Sequence, residues 1–332
     1  MMNARYIFIP PTMRILVAMS GGIDSSVVAH LLKKQGHDVV GVRFHLWMDP
    51  KAPALAQLLP TKCCTTQSIN RAATVAKALG IPLHTVDIAK EFKKKIVDQF
   101  LRDYAAGLTP NPCILCNRTI KHATLMKLMN KYKCDKVATG HYARVKCSSN
   151  KSGKGVCHLL EARDKKKDQS YYLSGLSQEE LKSTVFPLGE LLKSEVYTLA
   201  KKFKVPVSDA YRESQDLCFF PEKGPKDFLR RYLKSTKKGD IVKRDGTVVG
   251  EHTGIPFYTI GQRRGLGIGG LKIPLEVVGK DLKRNRLIVA EKEQERCSAV
   301  RLTNLRFTSM RHRRTAHSPA VRGRCQRRKM GD

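Results

Sequence analysis

The residues of this chain best suited to chemistry are three cysteines and one glycine-rich turn. Cys113 and Cys116 stand in Thr109-Pro110-Asn111-Pro112-Cys113-Ile114-Leu115-Cys116-Asn117, where two prolines stiffen the approach to a helix predicted to begin just after Cys116. A thiol near a helix N-terminus, or in a Cys-x-x-Cys pair, is held partly as the nucleophilic thiolate, and Arg118 and Lys121 push the same way. The alternatives are an inert buried pair and a structural zinc half-site. Zinc asks for a second Cys-x-x-Cys or a His pair at tight spacing, and the sequence has neither. Cys63 and Cys64 are adjacent and chelate poorly. Cys218 follows an acidic-polar run, Glu213 to Leu217, and precedes Phe219-Phe220; read alone, it is more readily a core residue than a reactive one.

The turn is Ser20-Gly21-Gly22-Ile23-Asp24-Ser25. The apolar run Ile15 to Ala18 before it reads as a buried strand, and Val27, Val28, Leu31 and Leu32 after it have helical spacing. Two glycines at a strand-to-helix turn let the backbone come close to a ligand. The first N–H groups of the helix then face that ligand, and the helix dipole favours an anion. Ser20 and Ser25 add hydroxyls. Asp24 beside a phosphate makes sense if a cation such as Mg2+ lies between them. A lone Gly-Gly can simply start a helix, but here the strand, the helix and the Ser-Gly-Gly-x-Asp-Ser order agree. No Gly-Lys-Ser/Thr follows, so this is not a Walker loop, and it is not G-x-G-x-x-G.

Around these residues the pattern alternates. Asp38 to Leu46, Pro82 to Ile88 and Asp135 to Gly140 read as further strands. Helices are predicted over Thr65 to Leu79 (Thr65 or Thr66 capping), Glu91 to Tyr104 and Thr119 to Tyr132. Such alternation predicts an α/β fold with a doubly wound parallel sheet and a ligand at the strands' carboxyl ends, where the turn sits. Lys146 to Lys154 reads as a hairpin tip, and Ser177 to Ser183 and Leu191 to Phe203 as helices. Near Val205-Pro206 the pattern changes. Beyond it come a short helix (Asp227 to Leu233), a hairpin around Arg244-Asp245-Gly246, and strands at Glu276 to Val278 and Arg286 to Val289.

The chain of 332 residues is long enough for two or three domains. Lys and Arg number 62 against 29 Asp and Glu, a formal charge of +33. Arg311 to Lys329 holds eight of the bases and no acid, and the rest of the excess is spread along the chain. A chain so positive favours a polyanion partner, ordinarily nucleic acid. No run approaches the ~18 apolar residues of a membrane helix, so no membrane partner is expected. Ten cysteines in a chain this size, without a secretory leader, are expected to be inert or chemical thiols of a reducing compartment. With no Arg-rich amphipathic leader, a cytoplasmic location is expected, with a mitochondrial one as the alternative.

The turn resembles the pyrophosphatase loop of the ATP-pyrophosphatase superfamily, whose members adenylate a substrate oxygen. Six further motifs follow it in order: Asn111-Pro-Cys-x-x-Cys-Asn117, Thr139-Gly-His-Tyr-Ala-Arg144, Lys167-Asp-Gln-Ser-Tyr-Tyr-Leu173, Phe186-Pro-Leu-Gly189, Cys218-Phe219, and the run from Tyr258 to Gly270. Together they resemble the tRNA-specific 2-thiouridylase family over about Met13 to Ala290. The resemblance implies four segments. These are an extension (1–12), an ATP-pyrophosphatase catalytic domain (13–205), a small central α+β domain (206–270) and a truncated C-terminal β-barrel with a basic tail (271–332). It implies ATP, with Mg2+, at Ala18, Met19, Ser20, Gly21, Gly22, Ile23, Asp24, Ser25, Phe44 and Gly140. Adenylation would turn the C2 oxygen of a wobble uridine into a leaving group. Cys218 would carry sulfur as a persulfide, and Cys116 would help release it, leaving a Cys116–Cys218 disulfide. Asn111, Pro112, Cys113, His141, Lys167, Asp168 and Gln169 match tRNA-contacting positions. The implied partners are tRNAs for Lys, Glu and Gln and a sulfur donor, a cysteine desulfurase or a relay protein.

Two departures stand out. Cys113 occupies a position that is commonly Asp in the family, so Cys113, Cys116 and Cys218 form a candidate three-thiolate set for a [4Fe–4S] cluster. After Phe307 the family's barrel pattern, with its Arg-Tyr-Arg-like tRNA contact, gives way to basic, irregular sequence. Two other functions remain beside the leading one: a tRNA-binding protein that has lost catalysis, and another ATP-pyrophosphatase-loop ligase acting on a small carboxylate or amide. The basic charge and the Cys116/Cys218 pair argue against the ligase.

Overall fold

The computed structural model describes residues 12–53, 65–148, 155–206, 217–220, 224–233, 236–269 and 273–291. The expectations for Cys63, Cys64 and the tail beyond Phe307 lie outside the described residues.

The first half is built on β1 (Arg14–Ala18), whose Ile15, Leu16 and Val17 are fully buried because the sheet is covered on both faces. β1 pairs parallel with β2 (Asp38–His45) on one side and with β4 (Lys136–Ala138) on the other. With β3 (Leu83–Asp87) and β7 (Thr184–Val185) the sheet runs β3-β2-β1-β4-β7, the doubly wound order in which ligand sites form where the winding reverses at β1. One face packs α1 (Ile23–Lys34) and α9 (Lys193–Lys202) around Ile15, Val17, Val28, Leu32 and Leu199. α2 (Thr66–Leu79) joins them, capped as expected by Thr65, whose side chain accepts from Ser68 N.

On the other side lie two helices, each interrupted by a π-turn. α3 (Ala89–Phe92) passes through Lys93–Val97 into α4 (Asp98–Ala105). α5 (Pro112–Cys116) passes through Asn117–Lys121 into α6 (His122–Lys131). The second helix therefore starts earlier than the sequence suggests. Asn111 caps it by accepting from Cys113 N at 3.2 Å, and Pro112 takes the first turn, where its missing N–H costs nothing. Cys113 and Cys116 thus lie inside the helix, not ahead of it.

β5 (Ala143–Ser148) and β6 (Val156–Glu161) form a two-stranded ribbon, followed by α7 (Ser170–Leu173) and α8 (Gln178–Ser183). Cys147 and Cys157 face each other across the ribbon and form a disulfide, a pairing the sequence does not single out. Directly opposed strand residues bring their Cβ atoms within bonding reach, which spacing in sequence does not reveal.

The second half carries α10 (Lys226–Tyr232) and a sheet ordered β10-β11-β8-β9, from β8 (Gly239–Lys243), β9 (Val248–His252), β10 (Leu275–Asp281) and β11 (Arg286–Glu291). The expected hairpin is β8–β9, and β11 pairs parallel with β8. This sheet takes strands from both sides of residue 270, so a boundary there cuts through it. Arg231 and Tyr232 tie the two halves together: Arg231 Nη2 donates to Asp49 Oδ2 at 2.7 Å, and the Tyr232 hydroxyl donates to Asp49 Oδ1 at 2.5 Å. No described helix is long and apolar enough to cross a membrane.

Candidate functional site

A cavity of about 250 Å³ opens at the carboxyl end of β1. Its floor is the turn between β1 and α1. No side chain caps α1, so its N-terminus is left to the cavity. The turn is held by short-range bonds: Ser20 N donates to Ser25 Oγ at 3.2 Å, and Ser25 Oγ donates to Gly22 O at 3.1 Å. Arg71 of α2 fastens it from outside, its Nε donating to Gly21 O at 2.8 Å. Gly21 has φ +78°, and a Cβ there would lie 2.0 Å from Ser68 O, so only glycine fits beneath α2. A Cβ on Gly140 would come within 3.1 Å of Asp24 Cβ and Ser25 N, so this glycine lets the end of β4 close against the turn.

Of the residues expected to hold the nucleotide, Ala18, Met19, Ser20, Asp24, Ser25, Phe44 and Gly140 line the cavity. Gly22 is the N-cap of α1, and Ile23 is buried in the core. Asp24 is the one acidic residue among the described residues that line the cavity, and its Oδ1 accepts from Lys193 Nζ at 2.7 Å and from the Tyr142 hydroxyl at 3.0 Å. Sequence reading passed over Lys193 and Tyr142. Lys193 is one of several lysines in a helical run, and only the fold carries it across to Asp24. Mg2+ that arrives with a triphosphate needs only one or two carboxylates beside phosphate oxygens, and Asp24 fits that role.

The tRNA-matching residues divide. His141 and Gln169 line the cavity, with Lys121 and His122, which the sequence analysis did not place there. His141 Nδ1 lies 2.8 Å from Thr139 Oγ1, and burial pushes its pKa well below the ordinary value, with Lys121 and His122 adding to the shift. Gln169 braces the site, its Oε1 accepting from Tyr142 N at 3.0 Å. Asp168 holds its own loop: Oδ1 accepts from Ala162 N at 2.8 Å and Oδ2 from Ser170 Oγ at 2.8 Å. Asn111 is spent on capping α5, Pro112 is buried, and Lys167 is half-buried.

Cys116 is buried in a cluster with Leu46, Phe92, Phe100, Phe219, Phe220 and Phe228, and Cys218 packs half-buried against that cluster with Phe44. Phe44 and Leu46 also line the cavity, so the cluster adjoins its wall. Cys113 is half-buried, and burial raises its thiol pKa, with Lys121 pulling partly back. That overturns the thiolate expected of Cys113 at a helix start: burial outweighs the dipole and the nearby bases. Among the described residues no three His, Cys, Asp or Glu side chains converge to hold a metal ion. Cys113, Cys116 and Cys218 therefore do not gather as the three-thiolate set a [4Fe–4S] cluster requires.

The family described as tRNA methyl transferase HUP domain matches residues 13–222, and the tRNA methyl transferase PRC-barrel domain matches residues 226–291. The tRNA-specific 2-thiouridylase MnmA of Geobacter metallireducens is 43% identical over 286 residues, covering 85% of this chain and 75% of that protein. The protein of the same name in Streptococcus equi subsp. equi is 44% identical over 282 residues, covering 84% and 72%. Among solved structures, the U34-tRNA thiolase NcsA from Methanococcus maripaludis with its [4Fe–4S] cluster matches 63% of each chain at 18% identity and a TM-score of 0.39, too remote a likeness to bear on individual residues.

Proposed function

The chain belongs to the tRNA-specific 2-thiouridylase family, enzymes that put sulfur on tRNA uridine, and from that premise we propose how its own residues carry out the transfer. ATP enters the cavity with its phosphates at Ser20 to Ser25 and its adenosine against Val42 and Phe44. The C2 oxygen of the uridine attacks the α-phosphorus; an O–P bond forms, and pyrophosphate leaves with the electrons of the broken bond. Lys121 and Lys193 offset the negative charge that builds on the phosphates.

Sulfur arrives as a persulfide on Cys218. Its terminal sulfur attacks C2, and AMP departs with the former C2 oxygen. The Cys116 thiolate then attacks the Cys218 sulfur, the S–S bond breaks toward the base, and the thiocarbonyl remains on C2. The products are 2-thiouridine, AMP and a Cys116–Cys218 disulfide, which a thiol reductant reopens. The observation that carries this reading is the shared wall: Phe44 and Leu46 line the nucleotide cavity and belong to the cluster that packs Cys116 and Cys218. No step runs through an iron–sulfur cluster, because the three thiols do not converge. The substrates proposed are wobble-uridine tRNAs for Lys, Glu and Gln, and the sulfur comes from a desulfurase or a relay protein.

The test is mass spectrometry of wobble nucleosides after incubating the full chain with ATP, a persulfide donor and unmodified tRNA. We expect 2-thiouridine from the parent chain and none from Cys218→Ser, which still releases pyrophosphate in a tRNA-dependent way. A parent chain that yields no 2-thiouridine, or a Cys218→Ser chain that yields it, would overturn the scheme.

A further inference from the structure

His122 is fully buried and lines the cavity, yet neither its Nδ1 nor its Nε2 has a hydrogen-bond partner among the described residues. Its neighbour His141, 6.3 Å away ring to ring, is secured by Thr139. A buried polar ring without partners weakens a fold, and an apolar ring of similar shape would fill the space without that penalty. Burial, aided by Lys121, lowers the His122 pKa to about 4, so the imidazole is neutral near pH 7 and offers one N–H and one lone pair.

The cavity has two sides, because β1 pairs with β2 on one flank and β4 on the other. The β2 side presents Val42, Phe44 and Leu46, suited to the face of an adenine. The β4 side presents Thr139, His141 and Gln169, and His122 stands with them. With adenosine on the β2 side and the phosphates over β1, an attacking oxygen has to reach the α-phosphorus from the β4 side. We infer that His122 is a specificity-determining residue that hydrogen-bonds the uracil of the substrate tRNA on the β4 side of the cavity. This inference rests on the thiouridylase reading above. Uracil carries an N–H between two carbonyls, so either nitrogen of a neutral imidazole meets a complement once the base is splayed into the cavity.

The test compares the full chain with His122→Phe, which removes both nitrogens, and His122→Asn, which keeps a donor and an acceptor. Anticodon stem-loops carrying U34 or C34 are titrated in the presence of a non-hydrolysable ATP analogue. We expect His122→Phe to bind the U34 loop about 10-fold more weakly, to bind the C34 loop like the parent, and to keep the parent's affinity for the ATP analogue. His122→Asn should recover part of the loss, and the Tm of His122→Phe should equal or exceed the parent's. Unchanged U34 binding by His122→Phe, a loss that falls on the ATP analogue instead, a lowered Tm that accounts for the loss, or a parent chain that holds both loops equally would overturn the assignment. Binding needs no sulfur transfer. A chain that discriminates U34 through His122 but makes no 2-thiouridine refutes the reaction scheme and supports the His122 assignment.

Discussion

The phosphate end and the thiol end of this molecule are built by different means. At the phosphate end, hydrogen bonds within a six-residue turn, one arginine, a glycine that tolerates no Cβ (Gly21) and one that leaves little room for it (Gly140) fix the backbone. At the thiol end the order comes from packing: Cys116 and Cys218 reach one aromatic cluster from distant parts of the chain, held together by Asp49, Arg231 and Tyr232. Phosphate recognition needs N–H groups held at fixed angles, which neighbours in sequence can arrange. The sulfur transfer proposed above has two thiols from separate segments approach and part, which packing permits.

Breaking the phosphate end should have the largest effect. Gly21→Val sets a side chain against Ser68 O, and tRNA-dependent pyrophosphate release should fall by about 1000-fold or more, some 4 kcal/mol. Retained release would mean that the turn is not held as rigidly as its contacts imply. Asp49→Ala tests the thiol end. The Asp49 side chain is fully buried and that of Arg231 is 18% exposed, and the change takes their shared carboxylate away from a guanidinium and a hydroxyl. Chemical denaturation should show a loss of about 3–5 kcal/mol. A loss below about 1 kcal/mol would deny Asp49 its role in joining the halves.

The third prediction concerns acid. His122 has a folded pKa of about 4 against 6.5 for the free side chain. Between those values the unfolded chain takes up a proton that the folded chain refuses, so stability is full above pH 6.5 and falls as the pH drops toward 4. The contribution approaches about 3 kcal/mol, and the fall over that window should be smaller by that amount in His122→Phe. Identical acid profiles would contradict the burial of an unpartnered imidazole. The smallest effect belongs to Thr65→Ala, which removes the α2 cap above Gly21 and should cost about 1 kcal/mol in thermal or denaturant unfolding.

The same contrast explains what could be read in advance. The strand, turn and helix around Ser20 to Ser25 are local features, and so are the Thr65 cap, the β8–β9 hairpin and the alternation behind the parallel sheet. Lys193 and Tyr142 were not legible, because only the assembled fold brings them to Asp24 from 169 and 118 residues away. The Cys147–Cys157 bond depends on strand register, and the early start of α5 turned on whether Asn111-Pro112 would act as cap and first turn. The state of Cys113 was misjudged for a related reason. Burial by distant residues overrode the charge pattern of its neighbours, and a string of residues records the second but not the first.

The π-turn at Asn117–Lys121 has one more consequence. It separates the cysteine-bearing turn of the helix from His122, and each residue of an α-helix advances the side-chain direction by about 100°. Removing one residue from this turn would restore an ordinary i→i−4 ladder and leave the helix as sound as before. Because the π-turn spends one more residue on the same turn of helix, the residues beyond it would keep nearly their present direction, and His122 and Leu125 would still line the cavity. The turn takes up one extra residue between Cys116 and His122 without turning either off its face, so a homologue shortened here would be expected to fold well and keep both faces.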